Sequence, residues 1–206
     1  MTRLLPLPIF ITVMILFLTI GLIRAQPHDD DGLDAFLAPS ETCVLPCWQG
    51  IRPGETTMRE AVAILRNHAW VESVNVDAGA LIYGLGFVTW TWNGQQPDFI
   101  SDEISSIAIE ESLVSQIIIS TNVRFGELWL LQYAPRLGQV NVRATQSEHA
   151  VMFMPGTSRV SSFVTCPLSS RAFWNAPVIL RFSEPSNILL EPYRLPRWLA
   201  HTACDA

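Results

Sequence analysis

Residues Leu4–Ile23 form an apolar run interrupted only by Pro6, Pro8, Thr12, Thr19 and Gly21, and wound as a helix they leave no polar face. Twenty such positions are long enough to cross a hydrocarbon core of about 30 Å. Pro6 and Pro8 fall in the first turns, where proline costs least, so the strongly helical part is roughly 15 residues, a length that suits a signal-peptide core. Arg3 gives a short positive flank, and Ile23-Arg24-Ala25 is a tolerable processing site. Residues 1–25 therefore read as a cleaved signal peptide or as a retained transmembrane anchor, with the membrane as partner of this segment. Either way the rest of the chain is expected to be extracytoplasmic, secreted or membrane-anchored.

That compartment gives the four cysteines their meaning. Cys43, Cys47, Cys166 and Cys204 all follow the apolar run, and an even count in an oxidising environment reads as disulfides. Three pairings exist. Pro46 and Pro167 keep the local chain extended or turned, which favours Cys43–Cys47 and Cys166–Cys204. A Cys166–Cys204 bridge closes a loop of about 38 residues, worth ~3–4 kcal/mol in the chain-entropy picture. Three residues separate Cys43 from Cys47, not the two of the redox motif, and the paired spacing of a zinc site is absent. No metal and no cofactor is expected.

Charge narrows the partners. The formal charge of −6 becomes −8 once Arg3 and Arg24 are set aside, and all 13 basic residues are arginine. An acidic, lysine-free chain is a poor partner for nucleic acid and has no Schiff-base or phosphate-loop lysine. With 49% hydrophobic residues and seven Trp, it is expected to fold around a packed core.

Residues 26–40 read as an acidic linker punctuated by Pro27, Gly32 and Pro39; Asp29, Asp31 and Asp34 lack the glutamate and flanking helices of a calcium loop. Residues 41–206 read as one extracytoplasmic α+β domain. In it, Pro53-Gly54 makes a turn, Thr57 with Glu60 forms a capping box, and Val62 and Leu65, with Met58 and Ala61 as further candidates, line a helix that stops near Asn67-His68. Strands are expected at Trp70–Val76, Ala80–Trp92, Ile104–Glu110 and Leu113–Ser120, then a second helix from Val123 to Leu131. Gln139–Ala144, Val151–Met154, Val160–Thr165 and Val178–Phe182 complete the strands, and Trp198–Ala203 a last helical turn. The expected fold is an antiparallel sheet packed by two short helices, after the N-terminal hydrophobic helix. Glu60–Leu65 and Glu127–Leu131 open similar helix–strand–strand runs, which suggests a degenerate tandem repeat with units 48–120 and 121–206.

The run Arg52-Pro53-Gly54-Glu55-Thr56-Thr57, followed by Glu60-Ala61 and Leu65, resembles the helix start of BamE (SmpA/OmlA)-like and β-lactamase-inhibitor-protein-like modules. The resemblance covers about 25 residues of the first unit and fewer of the second. Asn67-His68-Ala69 stands where those modules end their helix with glycine, and the lipidated cysteine of the first family is missing. The resemblance implies an exported, non-catalytic domain that binds other proteins; Cys43–Trp48 with this unit is also similar to exported bacterial proteins of no stated activity.

No nucleophile elbow or zinc-protease helix occurs, and no catalytic residue is assigned. His149, beside Glu148, is the best candidate base and is expected on an exposed, inert hairpin loop. His68 suits a helix C-terminus, where a partly cationic ring meets the dipole. Asp102-Glu103 and Glu110-Glu111 read as solvated turns. Trp90 and Trp92, two apart on a strand, share one face, with Tyr83 and Phe87 nearby on the opposite one; one aromatic set is expected in the core and the other open to solvent, where an exposed pair forms a binding platform for sugar or protein. The expectation is a domain that acts by binding a protein or envelope component, with a hydrolase or a carbohydrate-binding module as alternatives.

Overall fold

Pro6–Ala25 forms a single 20-residue α-helix, α1, in the computed structural model, which describes residues 6–25, 32–37, 43, 46–132, 135–143, 145–152, 159–183 and 191–193. The chain divides into two units, Met1–Gly32 and Leu33–Ala206. In the first, Phe10, Ile15, Phe17 and Leu22 are exposed. Among the described residues no helix is long and apolar enough to cross a membrane.

The second unit begins with α2 (Leu33–Leu37), inside the segment expected as linker, and Leu33 is buried in the core. Cys43 and Cys47 are bonded, their Cα atoms 5.4 Å apart, as the short spacing anticipated. Cys166 is also in a disulfide; Cys204 lies outside the described residues, as does Trp198–Ala203.

Helix α3 (Met58–Arg66) starts where its caps dictate. The Thr57 hydroxyl accepts the Glu60 N–H at 3.3 Å, and the Glu60 carboxylate accepts the Thr57 N–H at 2.9 Å. Ala61 and Leu65 are buried, while Arg59 and Arg66 face water. There follow β1 (Val71–Val76), α4 (Ala78–Tyr83), β2 (Gly86–Trp92), β3 (Ser105–Glu110) and β4 (Leu113–Arg124). After α5 (Phe125–Gln132) come β5 (Leu137–Val142), β6 (Gln146–Met152), β7 (Arg159–Thr165), α6 (Ser170–Asn175), β8 (Pro177–Ser183) and β9 (Glu191–Pro192). The strands make one antiparallel sheet in the order β1-β2-β3-β4-β8-β7-β6-β5-β9, so β4 and β8 meet at its centre. Glu111 and Ser112, both at positive φ (51° and 65°), form the tight turn that joins β3 to β4.

Period-two alternation gives the sheet two unlike faces. Val88, Trp90 and Trp92 on β2, Ile117 and Ile119 on β4, Leu180 and Phe182 on β8 and Val151 on β6 belong to one buried core. Ala61 and Leu65 of α3, Phe125 and Leu128 of α5 and Phe173 of α6 close over it. Trp48 stacks on Trp90 (centroids 5.6 Å apart, 17° between planes) and meets Trp92 edge-on. The opposite face carries half-buried Thr89, Gln116, Ile118, Glu148, Arg159 and Arg181.

The α+β expectation holds, with differences. β4 runs to Arg124, so a unit boundary at residue 120 cuts it short, and α2, α4 and α6 join the two expected helices. The expected long strand Ala80–Trp92 is a helix, a turn and a shorter strand. Asp77 caps α4 by accepting the Ala80 N–H at 2.8 Å, and Gly84, at φ 65°, ends it in the left-handed conformation that glycine tolerates.

Candidate functional site

Trp90 and Trp92 share a face as expected, and it is the covered one: they are 1% and 7% exposed. A sugar-stacking platform needs rings open to solvent, so that reading is corrected; the pair packs the core with Trp48.

His149 is likewise not on a loop. β6 begins at Gln146, earlier than the sequence suggested, and pairing with β5 and β7 on both sides carries His149 into the sheet at 0% exposure. Its Nε2 lies 3.2 Å from Ser147 Oγ, its Nδ1 3.3 Å from the Tyr193 hydroxyl, and its ring meets Phe173 edge-on at 4.8 Å. Burial lowers its pKa from 6.5 to about 4 and raises that of Tyr193. The serine–histidine pair is sealed: Ser147 is fully buried, so no substrate reaches it. Glu148 points to the other face, where its carboxylate accepts the Ser161 hydroxyl at 3.1 Å. A cleft of about 410 Å³ at the β5–β9 edge is walled by Tyr193, with Gly138, Val140 and Glu191 among its lining.

His68 follows the Asn67 C-cap, where a cationic ring was expected. It sits against Trp48 and Trp70 instead, and its Nδ1 accepts the Trp70 N–H at 3.3 Å. Burial lowers its pKa, so the neutral ring is favoured over the cation. No group of three or more metal-ligating side chains occurs among the described residues.

The surface that stands out carries Tyr83 and Phe87, the aromatic set expected on the face opposite Trp90 and Trp92. Leu81, Ile82, Tyr83, Leu85 and Phe87 are all exposed, Ile82 at 69% and Tyr83 at 79%. They share a seven-residue stretch on α4 and the start of β2. Large apolar side chains exposed together in this way mark interaction surfaces. The loop that carries them is clamped. The Asp77 carboxylate accepts both the Ala80 N–H (2.8 Å) and the Phe87 N–H (2.6 Å), and the Asp77 N–H donates to the Phe87 carbonyl at 3.1 Å. Those two amide donors hold the Asp77 carboxyl below the usual carboxylate range. The Gly84 carbonyl accepts the Ser112 N–H at 2.9 Å, and a Cβ at Gly84 would fall on the Ser112 side chain. Exposed Glu110 and Glu111 flank this contact. The N-terminus of α3 joins the same end through the Met58 N–H donated to Ser112, bringing Glu55 and Glu60 near Arg52 and Arg59. The patch is thus apolar and preorganised, with the exposed carboxylates of Glu110 and Glu111 beside its Gly84–Ser112 contact. The sequence signals were Asp77 before Ala80 and the glycines at 84 and 86, the same cap logic that located α3.

No known family, no curated protein and no solved structure matches this chain.

Proposed function

We propose that this chain is an exported domain that works by binding another protein, and that the clamped apolar surface Leu81–Phe87 is where the partner docks. The carrying observation is the combination of exposure with order. Five large apolar side chains are held in water by Asp77, Gly84 and Ser112, so little conformational entropy remains to be lost on binding. The carboxylate rim of Glu110 and Glu111 selects the occupant: a protein with an apolar cleft bordered by arginine or lysine. The same rim repels anionic lipid headgroups, so a bilayer is the poorer fit.

Export is supported by the apolar run Leu4–Ile23 and by the Cys43–Cys47 bridge. Residues 1–25 act as signal or anchor in this reading, and the β-sheet domain works outside the cytosol. The order α3-β1-α4-β2-β3-β4 and then α5-β5-β6-β7-α6-β8, with β4 against β8, supports duplication of one unit that opens on a helix and carries four strands, each copy holding a further short helix at a different place. In that view the α4 platform belongs to the first copy alone.

A photo-crosslinker at Tyr83 in the full-length protein in its native envelope tests the docking surface. It is expected to give one discrete adduct that disappears with Ile82→Asp and persists with Glu72→Gln, a change away from the patch. The purified adduct partner should then bind the wild-type chain and lose at least tenfold affinity for Ile82→Asp. Equal affinity for both, or binding to lipid vesicles in place of the protein, defeats the proposal.

A further inference from the structure

The face of the sheet opposite the core carries a second, unrelated feature on β7 and β8. Arg159 on β7 and Arg181 on β8 are directly opposite each other in register. Like charges so placed repel, and antiparallel sheets ordinarily avoid them. Neither forms a direct ion pair among the described residues. Arg181 is fixed by neutral partners: its Nε donates to Ser161 Oγ at 3.1 Å and its Nη1 to Gln116 Oε1 at 3.2 Å. Ser161 in turn donates to Glu148 at 3.1 Å, so among the described residues this carboxylate is engaged through a hydroxyl and not by either guanidinium. Arg159 Nε is buried and has no hydrogen-bond partner. A guanidinium N–H left in that state is costly unless something accepts it. Burial lowers the pKa of Arg181, with Glu148 opposing and Arg159 adding to the effect.

We infer that Arg159 and Arg181 form an anion-binding site for a carboxylate group. Two guanidinium groups and Glu148 leave a local charge of +1, which a monoanion neutralises and a divalent phosphate overshoots. A carboxylate has two oxygens in the planar arrangement that a guanidinium fork matches. It accepts the unsatisfied Arg159 N–H and removes the repulsion between the arginines. The serine and glutamine that hold Arg181 fix one half of the fork before the anion arrives. The site lies on β7 and β8, away from α4, so it stands or falls independently of the docking surface.

The test uses the full-length chain in a non-ionic detergent at constant ionic strength, with the arginine Nε–H resonances followed by NMR. Acetate, and a short uncharged peptide with a free C-terminus compared with its amide, are the probes. Saturable shifts of the Arg159 and Arg181 signals are expected with acetate and the free acid, and none with the amide. Peptide affinity at least tenfold above acetate identifies a chain carboxylate as the ligand; equal affinity identifies a small acid. Arg159→Gln should abolish saturation while leaving the melting temperature in anion-free buffer equal to or above that of the wild type, because repulsion is relieved. Arg181→Lys, which keeps charge but not the fork, should weaken binding at least tenfold. Absence of saturable shifts, saturation that survives Arg159→Gln, a lowered melting temperature for that variant, or phosphate binding more tightly than acetate overturns the inference.

Discussion

Two halves of one short stretch meet opposite fates. From Val88 to Trp92 the alternating large side chains, Val88, Trp90 and Trp92, are buried under Trp48 and α3; from Leu81 to Phe87 equally large apolar side chains stand in water. Composition does not separate them, since both are aromatic and aliphatic. The separation is made by Asp77 and Gly84, which wind Leu81–Tyr83 into α4, and by strand alternation, which turns Phe87 to the face of β2 opposite Val88, Trp90 and Trp92. Apolar residues that a fold buries hold it together. Apolar residues that it spends hydrogen bonds to keep exposed have another use.

Truncation on the buried side tests the first clause and carries the largest expected effect. Trp90→Ala removes a fully buried indole stacked on Trp48 and should cost about 3–5 kcal/mol in denaturant unfolding. Trp90→Phe should cost much less, because it keeps a ring in place and deletes an indole N–H that has no acceptor. Comparable losses for the two would mean that the Trp90 N–H is bonded after all and that the stacked packing is not what is being measured.

The covered face continues to β6, where His149 reports how dry it is. Between about pH 6.5 and 4 the unfolded chain holds a proton on this imidazole and the folded chain does not. Acid therefore favours unfolding across that window, and stability should fall by about 3 kcal/mol on going from its upper to its lower limit. His149→Leu should flatten that part of the stability–pH curve. A slope unchanged by the substitution would show that His149 titrates normally and that the face is wetter than its burial implies.

The sequence read well wherever a local signal and a tertiary contact agreed. Thr57 with Glu60 located α3 because the caps lie within four residues of each other. Glu110–Ser112 was recognisable as a turn, and Cys43–Cys47 was close enough to bridge. Trp90 and Trp92 were placed on a common face, since strand alternation needs no partner. Which face was covered depended on α3 and Trp48, and that information is not local. His149 failed for the same reason: Thr145–Glu148 looks like a polar turn, and only pairing with β5 and β7 on both sides makes it interior. α4 failed differently. Its caps were legible in Asp77 and Gly84, but the apolar alternation from Ile82 to Trp92 argued for a strand and won. Arg159 opposite Arg181 needed the β7–β8 register, which no spacing reveals.

The boundary between the two fates can be attacked at Asp77. Asp77→Ala removes the acceptor of both the Ala80 and Phe87 amides, and should release these two amides to hydrogen exchange while the amides of Val88 and Trp90 stay protected. Its melting temperature should drop less than that of Trp90→Ala, since no large side chain leaves the core. Protection lost across all of β2 would mean that the clamp supports the sheet itself, and the argument from a deliberately held platform would lose its basis.

The smallest effect on stability should come from the platform, and there the contrast is sharpest. Ile82→Asp and Tyr83→Ser alter side chains that are more than two-thirds exposed, so each should change unfolding free energy by no more than about 0.5 kcal/mol. Both should nonetheless improve solubility, because they break up an apolar patch whose exposure costs the isolated protein. If Ile82 and Tyr83 were packed in the native protein, either change would destabilise it on the scale of a core truncation. Leu81–Phe87 would then belong with Val88–Trp92, and the distinction between a holding half and a docking half would disappear.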